Sequence, residues 1–400
     1  MANGGGGPRS RNVRVEALRL AAIVGISLFH TMMPWTAQAL CDPQAGCGPI
    51  GEALGSDPVM LTVLGVISLM GAWGNHVFFM ISGLYLVPSL ARRSTQVGYW
   101  LSSARGTVRR VLAIAVSVAV VAVFALACDA WVTPLVRVHE LWQWTLGLEF
   151  VWLYAAFAAV APVLAWLLRR VPARARVAVV GVVVAVVMLL NGYIAFVSPG
   201  DAARGLTDWR KWMSAVTYAA AFALAGVAGM SEAPRAADLE RRRRRWLAAS
   251  AVVAVAVLAV VTVAAARRDV TVLGALSYKS TSAASMALAF LPLMACAMGA
   301  GREGEDLAGA SRRSGSSGSV AARCTAWLAA GILGFYIVQS VFASVVMDAG
   351  IQGMLASVVS AGGGWALLAA GVAVSVAYVV AVTVADGLIR RPLLRWMRLG

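Results

Sequence analysis

Long apolar runs alternate with short polar segments along almost the whole chain. A helix needs about 20 apolar residues to cross a hydrocarbon core roughly 30 Å thick, and by that measure the pattern predicts ten crossings. They are expected at residues 16–40, 59–90, 111–132, 149–168, 177–197, 212–230, 246–266, 282–300, 324–347 and 364–389. The predicted fold class is therefore all-α, a polytopic integral membrane helical bundle.

The composition agrees with this pattern and excludes an ordinary soluble domain. Of the 400 residues, 60% are apolar and 13% are charged, and the mean hydropathy is +0.78. A net charge of +16 could indicate nucleic-acid binding, but the arginines occur in short runs between apolar segments instead of along one polar face. We therefore expect the lipid bilayer as a partner and no nucleic acid.

Lys and Arg are distributed unevenly between the two sides of the predicted bundle. The side that includes both termini holds 27 of them, and the other side holds 7. Because positive charge is retained in the cytoplasm, both termini are predicted to be cytoplasmic in a multi-pass protein of the cell membrane. The layout is a basic cytoplasmic tail at 1–15, a transmembrane domain at 16–390 and a second basic cytoplasmic tail at 391–400. The first apolar run has no convincing cleavage site, so it should stay attached as the first helix.

Two of the predicted cytoplasmic segments have compositions typical of solvent-exposed surface and not of a functional site. The arginine run at 237–246 is typical of a topology determinant that is attracted to anionic lipid headgroups. The Gly/Ser-rich segment at 301–320 is typical of a linker.

Two of the five cysteines, Cys41 and Cys47, share one polar loop. That loop contains no Lys or Arg, which places it outside the cytoplasm, where a disulfide can persist. The spacing alone leaves open whether they are bonded. No second Cys or His pair lies nearby to complete a tetrahedral site, so we expect no metal.

The first predicted helix carries three ionisable residues, Glu16, Arg19 and His30. Arg19 and His30 are eleven residues apart, which is about 1100° at about 100° per residue, so they share one face. Their axial separation of about 16 Å puts the histidine near the bilayer midplane when the arginine is at the inner headgroups. An imidazole at that depth indicates function, and it is suited to proton transfer near neutral pH.

A second motif lies in the second helix, Phe78-Phe79-x-x-Ser82-Gly83. Ser82 offers a hydroxyl, Gly83 lets a neighbouring backbone approach, and the two phenylalanines supply a rigid apolar wall. Packing alone and direct substrate binding both remain open for these residues.

The two motifs together resemble the acyltransferase-3 family of integral membrane proteins. An acid, an arginine three residues later and a histidine eleven residues after that are found in the family's first helix, where Glu16 replaces the usual aspartate. Phe-Phe-x-x-Ser-Gly recurs one helix later. The resemblance extends over most of the chain, is strongest over 14–110 and is faint after Pro162.

The resemblance also implies roles for residues beyond the two motifs. A basic segment follows the second helix in the family, and here Arg105, Arg109 and Arg110 could hold the phosphates of an acyl-CoA donor or only fix topology. Glu149, at the start of the fourth helix, is a further substrate-binding candidate at the outer mouth, and His139 is a weaker one.

The resemblance implies transfer of an acyl group, often acetyl, from cytoplasmic acyl-CoA to a hydroxyl of an envelope glycan such as a polysaccharide, a lipid or a small molecule. His30 would be the general base or carry the acyl group, and Arg19, held by Glu16, would stabilise negative charge. Acyl-CoA is then a substrate, and no cofactor is expected.

Two other functions fit part of the pattern. A transporter or exporter could use Arg19 and His30 to line its path, but it does not require the Phe-Phe-x-x-Ser-Gly motif. His30 and His76 could instead be axial haem ligands on facing helices, which leaves Arg19 unexplained.

Overall fold

The structure is a computed structural model, and every regular element among the residues it describes is helical. The described residues are 12–41, 46–132, 148–197, 206–231, 236–277, 282–298, 317–342 and 350–399. The fold class predicted from the hydropathy pattern is confirmed.

The helices are numbered in chain order. The first half of the chain forms α1 (Val13–Ala39), α2 (Pro49–Gly55), α3 (Pro58–Arg93), α4 (Tyr99–Trp131), α5 (Glu149–Arg170) and α6 (Ala173–Phe196). The second half forms α7 (Leu206–Gly229), α8 (Ala236–Ala266), α9 (Val270–Ser277), α10 (Ala283–Ala297), α11 (Ser317–Ala329), α12 (Ile332–Phe342), α13 (Gln352–Leu388) and α14 (Arg390–Trp396).

Local sequence explains where the two central helices begin. The Asn12 side chain accepts a hydrogen bond from the amide of Arg14 and caps α1. The Asp57 carboxylate accepts from the amides of Val59 and Met60, and Pro58 follows it at the first helical position, where a missing N–H does no harm.

Eight helices of the described chain are long and apolar enough to cross a membrane, and they match eight of the ten predicted crossings. Neither of the other two predicted crossings forms one long continuous helix among the described residues. The one at 282–300 corresponds to α10, which has 15 residues. The one at 324–347 corresponds to α11 and α12, which are separated at Ala330–Gly331.

Helix α13 is a hairpin of two helical segments. Gln352 donates its Nε2–H to the Thr31 carbonyl at 3.0 Å, and Ser375 bonds the Thr31 hydroxyl at 3.1 Å. In a straight helix these two residues would be about 34 Å apart at about 1.5 Å per residue, so both could not reach Thr31. The chain reverses at Gly363, whose φ of 74° and ψ of −169° are open to glycine without strain. The tenth predicted crossing, 364–389, therefore begins at this turn.

Glycines bring the central helices into close contact. A Cβ at Gly71 would lie 2.6 Å from the Phe29 ring, and one at Gly74 would lie 2.5 Å from Ile26, so α3 packs tightly on α1. A Cβ at Gly83 would overlap the backbone of Phe222 in α7. Small residues of this kind let helices meet at backbone distance where lipid supplies no hydrophobic drive.

The two ends of the bundle differ in chemistry. We call the end that carries Glu16 and Arg19 the arginine end and the opposite one the disulfide end. At the disulfide end Cys41 and Cys47 are bonded, with Cα atoms 4.7 Å apart. Arg268 stabilises the same end by donating a hydrogen bond to the carbonyl of Gly55, the last residue of α2, at 3.0 Å. The structure thus resolves the pairing that the cysteine spacing left open.

Candidate functional site

Glu16 and Arg19 form the ion pair that the sequence predicts. Arg19 Nη1 lies 2.9 Å from Glu16 Oε2 and 3.3 Å from Oε1, within the first two turns of α1. The Glu16 side chain is only 8% exposed and that of Arg19 is 21% exposed. A carboxylate buried to this degree requires a paired charge, so the position of the guanidinium is fixed by the helix itself.

Residues of three other helices converge on Arg19. The Tyr154 hydroxyl, on α5, has the Ser82 side chain of α3 as a hydrogen-bonding neighbour. The guanidinium groups of Arg19 and of Arg110 on α4 are both close enough to act on it electrostatically. Tyr85, one turn beyond Ser82, is likewise within reach of the Glu16 and Arg19 charges. Side chains of α1, α3, α4 and α5 thus lie near one another, and we call this group the arginine site.

An aromatic cluster lies directly beside the arginine site, toward the disulfide end. Phe79 packs against Phe150 and Tyr218 with ring centroids 4.7 and 4.4 Å apart, and Phe78 packs against Phe150 at 5.0 Å. Phe150 and Tyr336 stack at 4.0 Å. We call these five residues, from α3, α5, α7 and α12, the aromatic cluster.

The aromatic cluster covers the face of α1 between Arg19 and His30. Ile23 and Ile26 lie on that face, are buried, and pack in one core with the cluster. Phe78 and Phe79 therefore form the predicted apolar wall, and they separate the two ionisable residues in this conformation.

His30 lies on the far side of the aromatic cluster, about 16 Å along the axis from Arg19. Its ring is half-buried and contacts the neighbouring Phe29 ring at 5.0 Å. Beside it, the Ser27 hydroxyl donates to the Ser375 carbonyl at 3.4 Å, and Ser375 bonds Thr31. These bonds fix α1 against the α13 hairpin at the level of the histidine.

The remaining predicted site residues lie in different places, one at a helix contact and three near the start of α4. Gly83 packs on the α7 backbone and so holds Ser82 and Phe79 in place. Arg105, Arg109 and Arg110 are all exposed near the start of α4. The charge of Arg110 acts on Tyr154, so the structure brings Arg110 to the arginine site.

Glu149 is exposed at the first residue of α5, directly before Phe150 of the aromatic cluster. Its predicted place at the outer mouth stays a prediction. His139 and the linker at 301–316 lie outside the described residues.

The geometry does not fit a haem held between His30 and His76. Gly74 faces α1, and His76, two residues and about 200° further round α3, points to the opposite side. There the His76 ring lies 5.7 Å from Tyr218 of α7. Two axial ligands must face each other, and these two histidines do not.

Sequence reasoning missed one buried charge cluster, at the arginine end of α13. Asp386 accepts hydrogen bonds from Arg390 and, at 2.9 Å, from Arg391, and its side chain is 2% exposed. Arg390 also donates to Ser117 of α4 at 3.1 Å, and Arg391 donates to the Trp327 carbonyl of α11 at 2.6 Å. The cluster joins four helices, α4, α11, α13 and α14. Its only sequence signal is an aspartate four residues before an arginine inside a helix.

Comparison with known proteins identifies one relationship. A family model described as an acyltransferase domain, of the acyltransferase-3 type, matches residues 12–384, nearly the whole chain. No curated protein and no solved structure matches.

Proposed function

This chain belongs to the acyltransferase-3 family and is a membrane acyltransferase, and from this we propose that it moves an acetyl group from cytoplasmic acetyl-CoA to a hydroxyl of an envelope glycan, a lipid or a small molecule. One observation supports the proposal most. The Glu16–Arg19 pair, Ser82 and Arg110 converge from three helices on one site, and His30 lies on the same face of α1.

The proposed reaction needs a base for the acceptor hydroxyl. The hydroxyl oxygen attacks the thioester carbonyl carbon as His30 takes its proton, which gives a tetrahedral intermediate with negative charge on the former carbonyl oxygen. The carbon–sulfur bond then breaks, and His30 returns the proton to the sulfur, so the products are the ester and free CoA. A neutral imidazole can perform both proton transfers and ends unchanged.

Arg19 and Arg110 are proposed to hold the donor. Acyl-CoA carries several phosphates, and a guanidinium binds phosphate oxygens through two parallel hydrogen bonds. Glu16 fixes Arg19 from one side and leaves its other N–H groups for the ligand. The arginine end would then face the cytoplasm, where acyl-CoA is found, as the positive-inside rule predicts.

The aromatic cluster sets a condition on this mechanism. Because it separates Arg19 from His30, the acyl end of a donor held at Arg19 can meet His30 only after these rings move apart. We therefore propose that the pantetheine arm of the donor enters between the rings.

The test is acetylation by the purified protein in lipid, with radiolabelled acetyl-CoA and a glycan acceptor. His30→Gln keeps the size and hydrogen bonding of the side chain without a titratable nitrogen, and we expect its turnover to fall by about 10²–10⁴-fold. Arg19→Lys separates geometry from charge, and a bidentate role predicts a large rise in KM for the donor.

Thr62→Ala is a matched control, because the Thr62 hydroxyl is exposed and bonds only the carbonyl one turn back in its own helix. It should leave turnover unchanged. Transfer by His30→Gln at the wild-type rate, with folding intact, would refute the catalytic assignment.

A further inference from the structure

Gln339 carries a buried hydrogen-bond donor that nothing in the described structure satisfies. Its side chain lies in α12, an otherwise mostly apolar helix, and the residue is 5% exposed. Its Nε2 is buried without a hydrogen-bond partner among the described residues. Leaving such a group unpaired destabilises a protein by about 1–3 kcal/mol, so its presence requires an explanation.

Contacts between α12 and α13 place Gln339 at a definite level of the bundle. A Cβ at Gly331 would lie 3.0 Å from Thr383, and the rings of Phe335 and Tyr378 lie 6.0 Å apart. Gly331, Phe335 and Gln339 follow one another at intervals of four residues, so they share the face that meets α13. The antiparallel register then brings Gln339 to the level of Ser375, the residue that bonds Thr31 beside His30.

The packing of α1 against α12 leads to the same place. Ile23 and Ile26 lie in one buried core with Ile332 and Phe335. Both helices run from the arginine end to the disulfide end, so one further turn along each leads to His30 and to Gln339. Two independent helix contacts thus put the unpaired amide and the imidazole at one level of the bundle.

We propose that Gln339 is a catalytic residue whose Nε2–H donates to the carbonyl oxygen of the acyl group while it is transferred at His30. This inference rests on the proposed function. In the attack of the acceptor hydroxyl described above, negative charge develops on that oxygen, and a preorganised donor stabilises it most in a site without water. An amide suits this depth because it is neutral and has no charge to bury.

The test compares three variants in the acetylation assay, each with thermal unfolding measured alongside. Gln339→Leu removes the donor, and Gln339→Glu keeps the shape but presents acceptors. Ser340→Ala is the control, because the neighbouring Ser340 is exposed and its hydroxyl bonds only the Tyr336 carbonyl of its own helix.

Loss of a transition-state donor predicts a fall in kcat of about 10²–10³-fold for both Gln339 variants, with KM for the donor unchanged. Ser340→Ala should keep the wild-type kcat. A buried unpaired amide also predicts that Gln339→Leu melts at the same temperature as the wild type or higher.

Wild-type kcat in Gln339→Leu would overturn the inference while leaving the proposed function in place. A lower melting temperature in Gln339→Leu together with a raised KM would also overturn it, because that pattern indicates a structural role. If the wild type itself transfers no acetyl group, the proposed function fails, and the assignment of Gln339 fails with it.

Discussion

Replacing Gly83 with alanine should force α3 and α7 apart. A Cβ at this position would overlap the Phe222 carbonyl oxygen and lie 2.9 Å from the carbonyl carbon and 3.1 Å from Cα. All three atoms are backbone, so no side-chain rotation can make room, and one helix must move. Inserting a methyl group into a filled core destabilises a protein by about 1–3 kcal/mol, and this backbone contact favours the upper part of that range.

The intrinsic preference of alanine for helix opposes this effect, and a matched variant removes it from the comparison. Gly181 also lies inside a membrane-spanning helix, but nothing is within 4 Å of a Cβ there. Gly181→Ala should raise the free energy of unfolding by about 0.5–1 kcal/mol. The difference between the two variants therefore measures the clash alone.

The assay is thermal unfolding of the purified proteins in detergent, followed by tryptophan fluorescence. We expect Gly83→Ala to melt well below the wild type and Gly181→Ala at or above it. Because Gly83 holds Ser82 and Phe79, acetylation should fall in the first variant only. If the two variants have the same melting temperature, the backbone contact between α3 and α7 is not as close as described.

Three further predictions concern the charged groups. Asp386→Asn leaves the buried Arg390 without its carboxylate and should destabilise the protein by about 3–5 kcal/mol in the same unfolding assay; an unchanged melting temperature would show that the cluster is solvated. Arg110→Gln should raise KM for acetyl-CoA about tenfold or more, because a charged hydrogen bond to the donor is lost. Arg105→Gln should raise KM little, and equal effects of the two substitutions would contradict the role given to Arg110. In a background without free cysteines, a single cysteine introduced within 305–318 should resist an impermeant maleimide in intact cells and react after lysis; labelling of intact cells would reverse the predicted orientation.

Hydropathy predicts most of this fold because the bilayer demands long apolar helices. It places α1 and α3 within a few residues of their observed ends. It does not predict the break at Ala330–Gly331 within the ninth crossing or the turn at Gly363. A broken crossing of this kind is stabilised by neighbouring helices, and a window average over one segment contains no information about them.

In the candidate site, too, some of the contacts can be predicted from the sequence and others cannot. The Glu16–Arg19 pair is predictable because both residues lie on one helix, where spacing alone determines whether two side chains meet. Tyr154 and Gln339 reach their positions through contacts between helices that are far apart in sequence. A single sequence contains no signal for such contacts, and to a hydropathy profile both residues are ordinary parts of apolar helices.

The hairpin at Gly363 has a consequence for how the protein enters the membrane. The segment before the turn, 352–362, is about 16 Å long at about 1.5 Å per residue, which is half of what an independent crossing requires. An arm of this length is too short to cross the bilayer by itself. We therefore expect it to partition into lipid together with the longer arm, 364–388, as one unit.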